Sequence, residues 1–384
     1  MKHNWEYKKL GEVCEIIGGS TPSTKDEANW NGPFNWFTPA EISTKKYYSE
    51  SERKITEEGV KSAGLKLLPA GTVLLTSRAP IGKVGILTLP SYCNQGFKNL
   101  ICKEDLYNEY LYYALIYFNE EIKDKGNGPT FKEISKSITE KISIPVPPMK
   151  IQEHIVKELD SINEGISELK QQVKDLDNLL QSLFYEMFGD PISNPKGWEM
   201  KKLGELCKSD LGKTINSNKD KGKLYPYLCA INIQWNNINT SFLKAARFED
   251  HELEKYTVRK GDLLVCEGGD VGRSAIWKSE GTMLYQNALH RLRFKGEIIN
   301  YYCLYVLKIL KEQGILDAKY SKGITIKHLV KSSLISILLP VPPLDLQQEF
   351  AKRIEGIEGM KVKLDAQIKD AQTLLESRMD YWFN

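Results

Sequence analysis

Residues 144–152 read IPVPPMKIQ and residues 339–347 read LPVPPLDLQ, and no other feature of this 384-residue chain constrains its fold as tightly. Prolines donate no backbone hydrogen bond and hold the residues before them extended, so a helix can start only behind the last of them. Sliding the chain along itself by 195 residues superposes 144–188 on 339–383 without a gap. Upstream, WEYKKLGEVC at 5–14 returns as WEMKKLGELC at 198–207, an offset of 193. Two ordered matches at nearly one offset mean a duplicated unit. Weaker echoes lie between them: WFTPAEI at 36–42 against YLCAINI at 227–233, and GPTFKEI at 128–134 against GITIKHL at 323–329.

The duplication predicts four segments: a domain over 1–143, a helix over 144–189, a second domain over 190–338 and a second helix over 339–384. Each domain shows short apolar runs bounded by Gly and Pro, such as GTVLLTS at 71–77 and GDLLVCE at 261–267, which read as strands and hairpins. A helical stretch follows in each, at 109–118 and 301–310. The expected fold class is α+β: two pseudo-symmetric α/β domains separated by two long helices that form an antiparallel coiled coil.

The helices carry the reason for that pairing. Ile155, Leu159, Ile162, Ile166, Leu169, Val173, Leu176, Leu180, Leu183 and Met187 recur at alternating spacings of four and three, which is a heptad seam. The second copy runs Phe350, Ile354, Ile357, Lys361, Leu364, Ile368, Ala371, Leu375, Arg378 and Trp382, with Lys361 and Arg378 as interruptions. A narrow stripe kept over so many turns suits another helix; the alternative is that each helix lies on its own domain. Paired antiparallel, such a rod is on the order of 50 Å long and holds the domains at its opposite ends. Asp345, with Gln348 three residues on, reads as a helix cap.

Charge is uneven. Residues 190–338 hold 24 basic against 16 acidic side chains, while residues 149–189 hold 4 against 8, so a polyanion is expected to meet the domains and not the rod. The basic candidates are Lys45, Lys46, Arg53 and Lys54 in the first domain and Lys213, Lys219, Lys221, Lys223, Arg291 and Arg293 in the second. Arg78, with Lys83 beside it, and Arg273 flank turns at Gly82 and Gly272, where a forked donor could be presented to a base edge. Solvated surface is the competing reading for any single cluster.

Enzyme motifs do not assemble. NGPF at 31–34 resembles the tetrapeptide of amino-methyltransferases, but Gly32 replaces a proline and no glycine-rich cofactor turn accompanies it, so it is read as a turn. Asp262 and Glu267 suggest a nuclease carboxylate pair but lack its lysine. Seven scattered cysteines without a C-x-x-C pair and five dispersed histidines point to neither a disulfide framework nor a metal. The first residues, MKHNWEYKKLGE, have no apolar run of the secretion type, and no stretch approaches the roughly 20 apolar residues of a membrane span, so a cytoplasmic chain is expected.

The twice-used P-V-P-P-x-x-x-Q before a long helix, the twice-used W-E-x-K-K-L-G-E and the half-chain spacing resemble the specificity subunits of type I restriction-modification systems, over essentially the whole chain. The resemblance implies that each domain is a target-recognition domain reading one half of a bipartite asymmetric site in double-stranded DNA. It implies that the helices set the gap and dock two modification (methyltransferase) subunits, with restriction/translocase subunits completing the assembly. The chain itself would carry no catalytic residue and no cofactor; S-adenosylmethionine, ATP and Mg²⁺ would belong to the partners. Two rivals stand beside this reading, a stand-alone DNA endonuclease using Asp262 and Glu267, and a coiled-coil scaffold or regulator that meets DNA incidentally.

Overall fold

The computed structural model describes residues 4–78, 80–126, 133–216, 219–323 and 327–384. The weak echo at 128–134 and 323–329 therefore falls largely outside the described residues. The chain forms two compact units, Met1–Gln171 with Asp365–Asn384, and Gln172–Leu364. Their borders fall within the long helices and not at the segment ends expected from the repeat: each unit takes the start of one helix and the end of the other.

In the first unit a five-stranded sheet runs in the order Cys14–Gly18, Phe97–Cys102, Val73–Thr76, Val84–Leu87, Tyr47–Tyr48. Val73 and Leu75 bury into a core shared with the Asn108–Tyr117 helix, while Leu74 and Phe97 face a second cluster with Phe37 and Tyr48. Burial on both faces explains why these strands read as unbroken apolar runs. The second unit repeats the device: Leu263 and Val265 join the core of the Asn300–Glu312 helix, and Leu264 and Cys266 face the other side. Its sheet order is Cys207–Leu211, Leu289–Phe294, Leu263–Cys266, Ser274–Ile276.

The two repeated sequence motifs meet in space. Tyr7–Lys9 pairs antiparallel with Ser143–Pro145, and Glu199–Lys202 with Leu338–Val341, so each domain is closed by its own first strand at the mouth of a long helix. A buried glutamine locks each closure. Gln152 Nε2 donates to the carbonyls of Asp105 and Pro147, both at 2.8 Å, and its Oε1 accepts from Tyr107 N at 2.8 Å. Gln347 does the same with Glu297 at 3.0 Å, Pro342 at 2.8 Å and Ile299 N at 2.9 Å. Tyr110 and Tyr302 each donate a hydroxyl to the first proline carbonyl of P-V-P-P, at 2.8 and 2.9 Å.

The helices Met149–Phe188 and Leu344–Phe383 are 40 residues each. Asp345 lies inside the first turn of the second helix, where its Oδ1 accepts from Leu346 N, so it is not the cap; the prolines ahead set the start. In the first unit Glu158 accepts from Arg378 and, at 2.9 Å, from Trp382 Nε1, and the His154 and Trp382 rings meet at 5.8 Å. In the second, Lys361 donates to Asp177 at 2.7 Å and the Phe184 and Phe350 rings lie 5.5 Å apart. Rising numbers on one helix face falling numbers on the other, which is antiparallel pairing within each unit. Lys361 and Arg378, the seam's two interruptions, are its cross-helix ion pairs.

Every seam residue from Ile155 to Leu183 and from Ile354 to Leu375 is buried or half-buried. Ile155, Leu159, Met379 and Phe383 also enter the first domain's core, and Leu180, Leu183, Phe350 and Ile354 the second's. The helix ends thus lie on domains, while Ile162, Leu169, Val173 and Leu176, in the middle of the first helix, are half-buried. Among the described residues no helix is long and apolar enough to cross a membrane.

Candidate nucleic-acid interface

Each domain carries a hairpin whose turn is set by a glycine in the left-handed region, Gly82 at φ +89° and Gly272 at φ +81°. In the first, Thr76 Oγ1 donates to the Pro80 carbonyl at 2.7 Å and accepts from Lys83 N at 2.9 Å. In the second, Cys266 N donates to the Arg273 carbonyl at 2.8 Å. These bonds make Lys83, and not Arg78, the positional counterpart of Arg273. Arg78 and Arg273 both flank these turns, Arg78 ahead of the Gly82 turn and Arg273 directly behind Gly272.

Beneath each hairpin lies a buried titratable side chain. Lys98, opposite Leu75, donates to Ser77 Oγ at 3.1 Å and sits 3.5 Å from Glu133, which also pairs with Arg78 at 3.0 Å. Burial pushes the Lys98 ammonium below its ordinary range, against the pull of Glu133. The matching residue is His290, opposite Val265, whose Nε2 lies 2.9 Å from the Leu329 carbonyl and 3.8 Å from Glu267. Burial lowers its pKa and raises that of Glu267.

The basic candidates divide sharply. Lys213 is buried, with its ammonium on Glu252 at 2.5 Å and on the Arg247 carbonyl at 3.0 Å. Arg291 is buried as well and donates to Asp210 at 2.7 Å and to the Thr257 carbonyl at 2.5 Å. Both are corrected from DNA contacts to core cations: each is almost wholly buried and its charge is met by a carboxylate of the same unit, Glu252 for Lys213 and Asp210 for Arg291. Lys46 is held by Glu109 at 3.0 Å and Asp160 at 2.6 Å, among the rings of Tyr47, Tyr112 and Tyr113, and this ties the first domain to its helix. Burial alone would raise the Glu109 carboxyl, but hydrogen bonds from Tyr47 and Lys46 hold it below the usual range. Arg293 grips Asp262 with two bonds of 2.7 Å, and Arg273 spends a donor on the Ala230 carbonyl at 2.9 Å.

What remains open to solvent is Lys45, Arg53 and Arg78, with half-buried Lys54 and Lys83, in the first unit, and Lys219, Lys221 and Lys223 in the second, Arg78 being, among the described residues, the one of these that is paired, to Glu133. Residues 217–218 of that lysine-rich loop lie outside the described residues. Pairing of Lys223–Leu228 with Lys244–Phe248 adds a lysine that sequence reasoning missed: exposed Lys244, opposite Tyr227. No local signal marks it, since the strand partner comes from 17 residues away.

The nuclease pair does not form. Asp262 is 2 % exposed, saturated by Arg293 and by Arg259 N at 2.8 Å, and stands before the Leu263–Cys266 strand while Glu267 follows it. A strand of four residues holds those carboxylates on the order of 15 Å apart along the chain, too far to share an ion. NGPF proves to be part of the Trp30–Phe37 strand and not a simple turn: the register shifts between Trp30 and Phe34, Asn31 takes φ +61°, and a Cβ on Gly32 would come 2.4 Å from the Ile55 carbonyl oxygen.

Comparison with known proteins bears on this geometry. The family model described as type I restriction modification DNA specificity domain matches residues 2–176 and again 195–371. The MjaIX specificity subunit of a type I restriction enzyme from Methanocaldococcus jannaschii is 30% identical over 392 residues, covering 92% of this chain and 87% of that one. A solved chain described under complex assembly and conformational transition of the type I R-M system superposes with TM-score 0.63 at 19% identity, covering 98% and 96%. The S subunit of a type I restriction-modification system from M. genitalium does so with TM-score 0.54 at 17% identity, covering 99% and 96%.

Proposed function

The chain belongs to the type I restriction-modification DNA specificity family, and from that premise we propose that its two domains read the two halves of one bipartite DNA site on behalf of catalytic partners. As a specificity subunit it supplies recognition within a restriction-modification system. The observation that carries the two-headed reading is the contrast between frame and surface. Gln152 and Gln347 close both domains with the same three hydrogen bonds, while corresponding strand positions carry different cations, Arg53 over the Trp30 ring in the first domain and Lys244 opposite Tyr227 in the second. Matched frames with unlike faces suit two different half-sites; phosphate contacts fix position and the varied side chains specify bases.

In this reading the long helices act as the spacer. A helix of 40 residues is about 60 Å long, more than the 34–36 Å of one duplex turn. Two methyltransferase subunits dock on the chain, restriction/translocase subunits complete the complex, and S-adenosylmethionine, ATP and Mg²⁺ act there and not on this chain. The site of action is the cytoplasm.

The test is direct. With the modification subunit of its system, the chain directs methyl transfer to a bipartite motif; alone with S-adenosylmethionine and DNA it transfers none. Methylation by the lone chain, or unpatterned methylation by the complex, rejects the reading. The spacer role is tested by matched seven-residue insertions after Lys170 and after Gln367, which keep the helices in register. They should widen the gap by about 10 Å, or about three base pairs, and leave both half-site sequences as they were. An unchanged gap removes the helices from that role.

A further inference from the structure

All nine arginines of the chain are described, and eight spend at least one guanidinium N–H on an oxygen of the chain, as Arg78 does on Glu133 and Arg247 on the Gly222 carbonyl. Arg53 is the exception among the described residues. Its guanidinium carbon lies 3.7 Å from the Trp30 ring centroid and 5.4 Å from that of Trp36. The guanidinium lies over the Trp30 ring, and its N–H fork is uncommitted among the described residues.

Everything beneath that fork is fixed. Trp30 and Trp36 meet edge to face at 5.0 Å, and their indole N–H groups donate to the Ser23 and Ser20 carbonyls at 3.1 and 3.0 Å. The Arg53 carbonyl accepts from Ser51 Oγ at 2.6 Å and from Trp36 N at 3.3 Å, so main chain and tip are both anchored while the side chain stays exposed. An arginine whose role is charge alone needs none of this; a solvated lysine serves as well. A planar fork held in one orientation before binding is what bidentate recognition requires, since the ordering cost is met in the free protein.

On the reading that this domain faces DNA, we propose that Arg53 is a specificity-determining residue that donates two parallel N–H groups to O6 and N7 of one guanine in the half-site read by the first domain. That pair of acceptors on the major-groove edge matches the arginine fork. Lys54, its neighbour, supplies charge toward the adjoining phosphates. The second domain is built differently at this place. Its strand end pairs in parallel as that of Trp36 does, with Tyr227 in the aromatic position and Lys244 opposite, whose single ammonium offers no fork. The two domains would therefore ask for different bases here.

The experiment uses the full chain with the modification subunit of its system and a duplex library randomised across the bipartite motif that the wild-type complex defines. Arg53→Lys and Arg53→Ala are compared with wild type for which sequences become methylated, with thermal unfolding as the control for folding. The expected result is that preference for guanine at one position of one half-site falls about ten- to a hundredfold in both variants, the other half-site being unchanged. Loss spread evenly over all sequences with a weaker salt dependence would make Arg53 a phosphate contact and overturn the assignment. So would relaxation at a base other than guanine, an unchanged motif, or unfolding of both variants. A wild-type complex that defines no bipartite motif would overturn the reading of the chain on which this assignment rests, and the assignment with it.

Discussion

Gln152, wholly buried, donates through Nε2 to the carbonyl of Pro147 five residues before it, at 2.8 Å, so the helix start and the proline segment are bolted together by one side chain. Gln347 bolts the second copy to Pro342 in the same way. Replacing Gln152 by Ala strands the Tyr107 N–H and two carbonyls in the interior. A loss of about 2–3 kcal/mol is expected, read from denaturant midpoints, with Gln347→Ala giving a similar loss in the second unit. Two silent substitutions would mean that water replaces the amide.

The Glu158–Arg378 pair is expected to couple by about 0.2–1 kcal/mol in a double-mutant cycle with Glu158→Gln and Arg378→Met, since both groups are partly exposed. Hydrogen bonding from Arg378 holds the Glu158 carboxyl below its ordinary 4.5. A lowered carboxyl pKa adds stability above the unfolded value and loses it as pH falls through the folded one. The coupling should therefore be constant from neutral pH down to about 4.5 and vanish below it. Coupling that persists in acid would assign it to packing of Trp382 instead.

His290 gives the second unit an acid-sensitive position where the first has Lys98. Burial lowers the His290 pKa from 6.5, with Glu267 at 3.8 Å and the charge of Lys331 nearby. A lowered histidine pKa leaves the unfolded chain binding the proton first, so stability is complete above 6.5 and declines as pH falls below it, at up to about 1.4 kcal/mol per unit. His290→Gln should flatten this decline in urea titrations between pH 5 and 6.5. A slope indifferent to the substitution would place the acid response elsewhere.

Lysines sorted by exposure should behave as two classes in DNA binding. Alanine at Lys219, Lys221 or Lys223 is expected to weaken binding by the assembled complex for all sequences alike and to lower the salt slope by about one each. Methionine at Lys213 should instead destabilise the second unit, leaving Glu252 and Asp220 without their cation. A salt-slope change at Lys213 without a fall in unfolding temperature would reverse that division.

Much of this molecule was legible before any coordinates. Duplicated prolines, a duplicated W-E-x-K-K-L-G-E segment and a seam at spacings of four and three fix where helices begin, what they face and how many domains there are, because such features act over a few turns of chain. Lys361 and Arg378 looked like defects in that seam, since their acids, Asp177 and Glu158, lie on the other copy. The unit borders inside the helices were illegible for the same reason: cores form between segments far apart in sequence.

By itself, then, the amino-acid order determined a twofold plan and the pairing of its long helices. Tertiary structure alone decided which cations are available. Arg291 meets Asp210 across 81 positions, Lys46 meets Asp160 across 114, and Arg53 finds Trp30 through neighbouring strands. Whether a charge is solvated, neutralised or laid against a ring depends on what folding brings beside it, and no local pattern of residues encodes that neighbour.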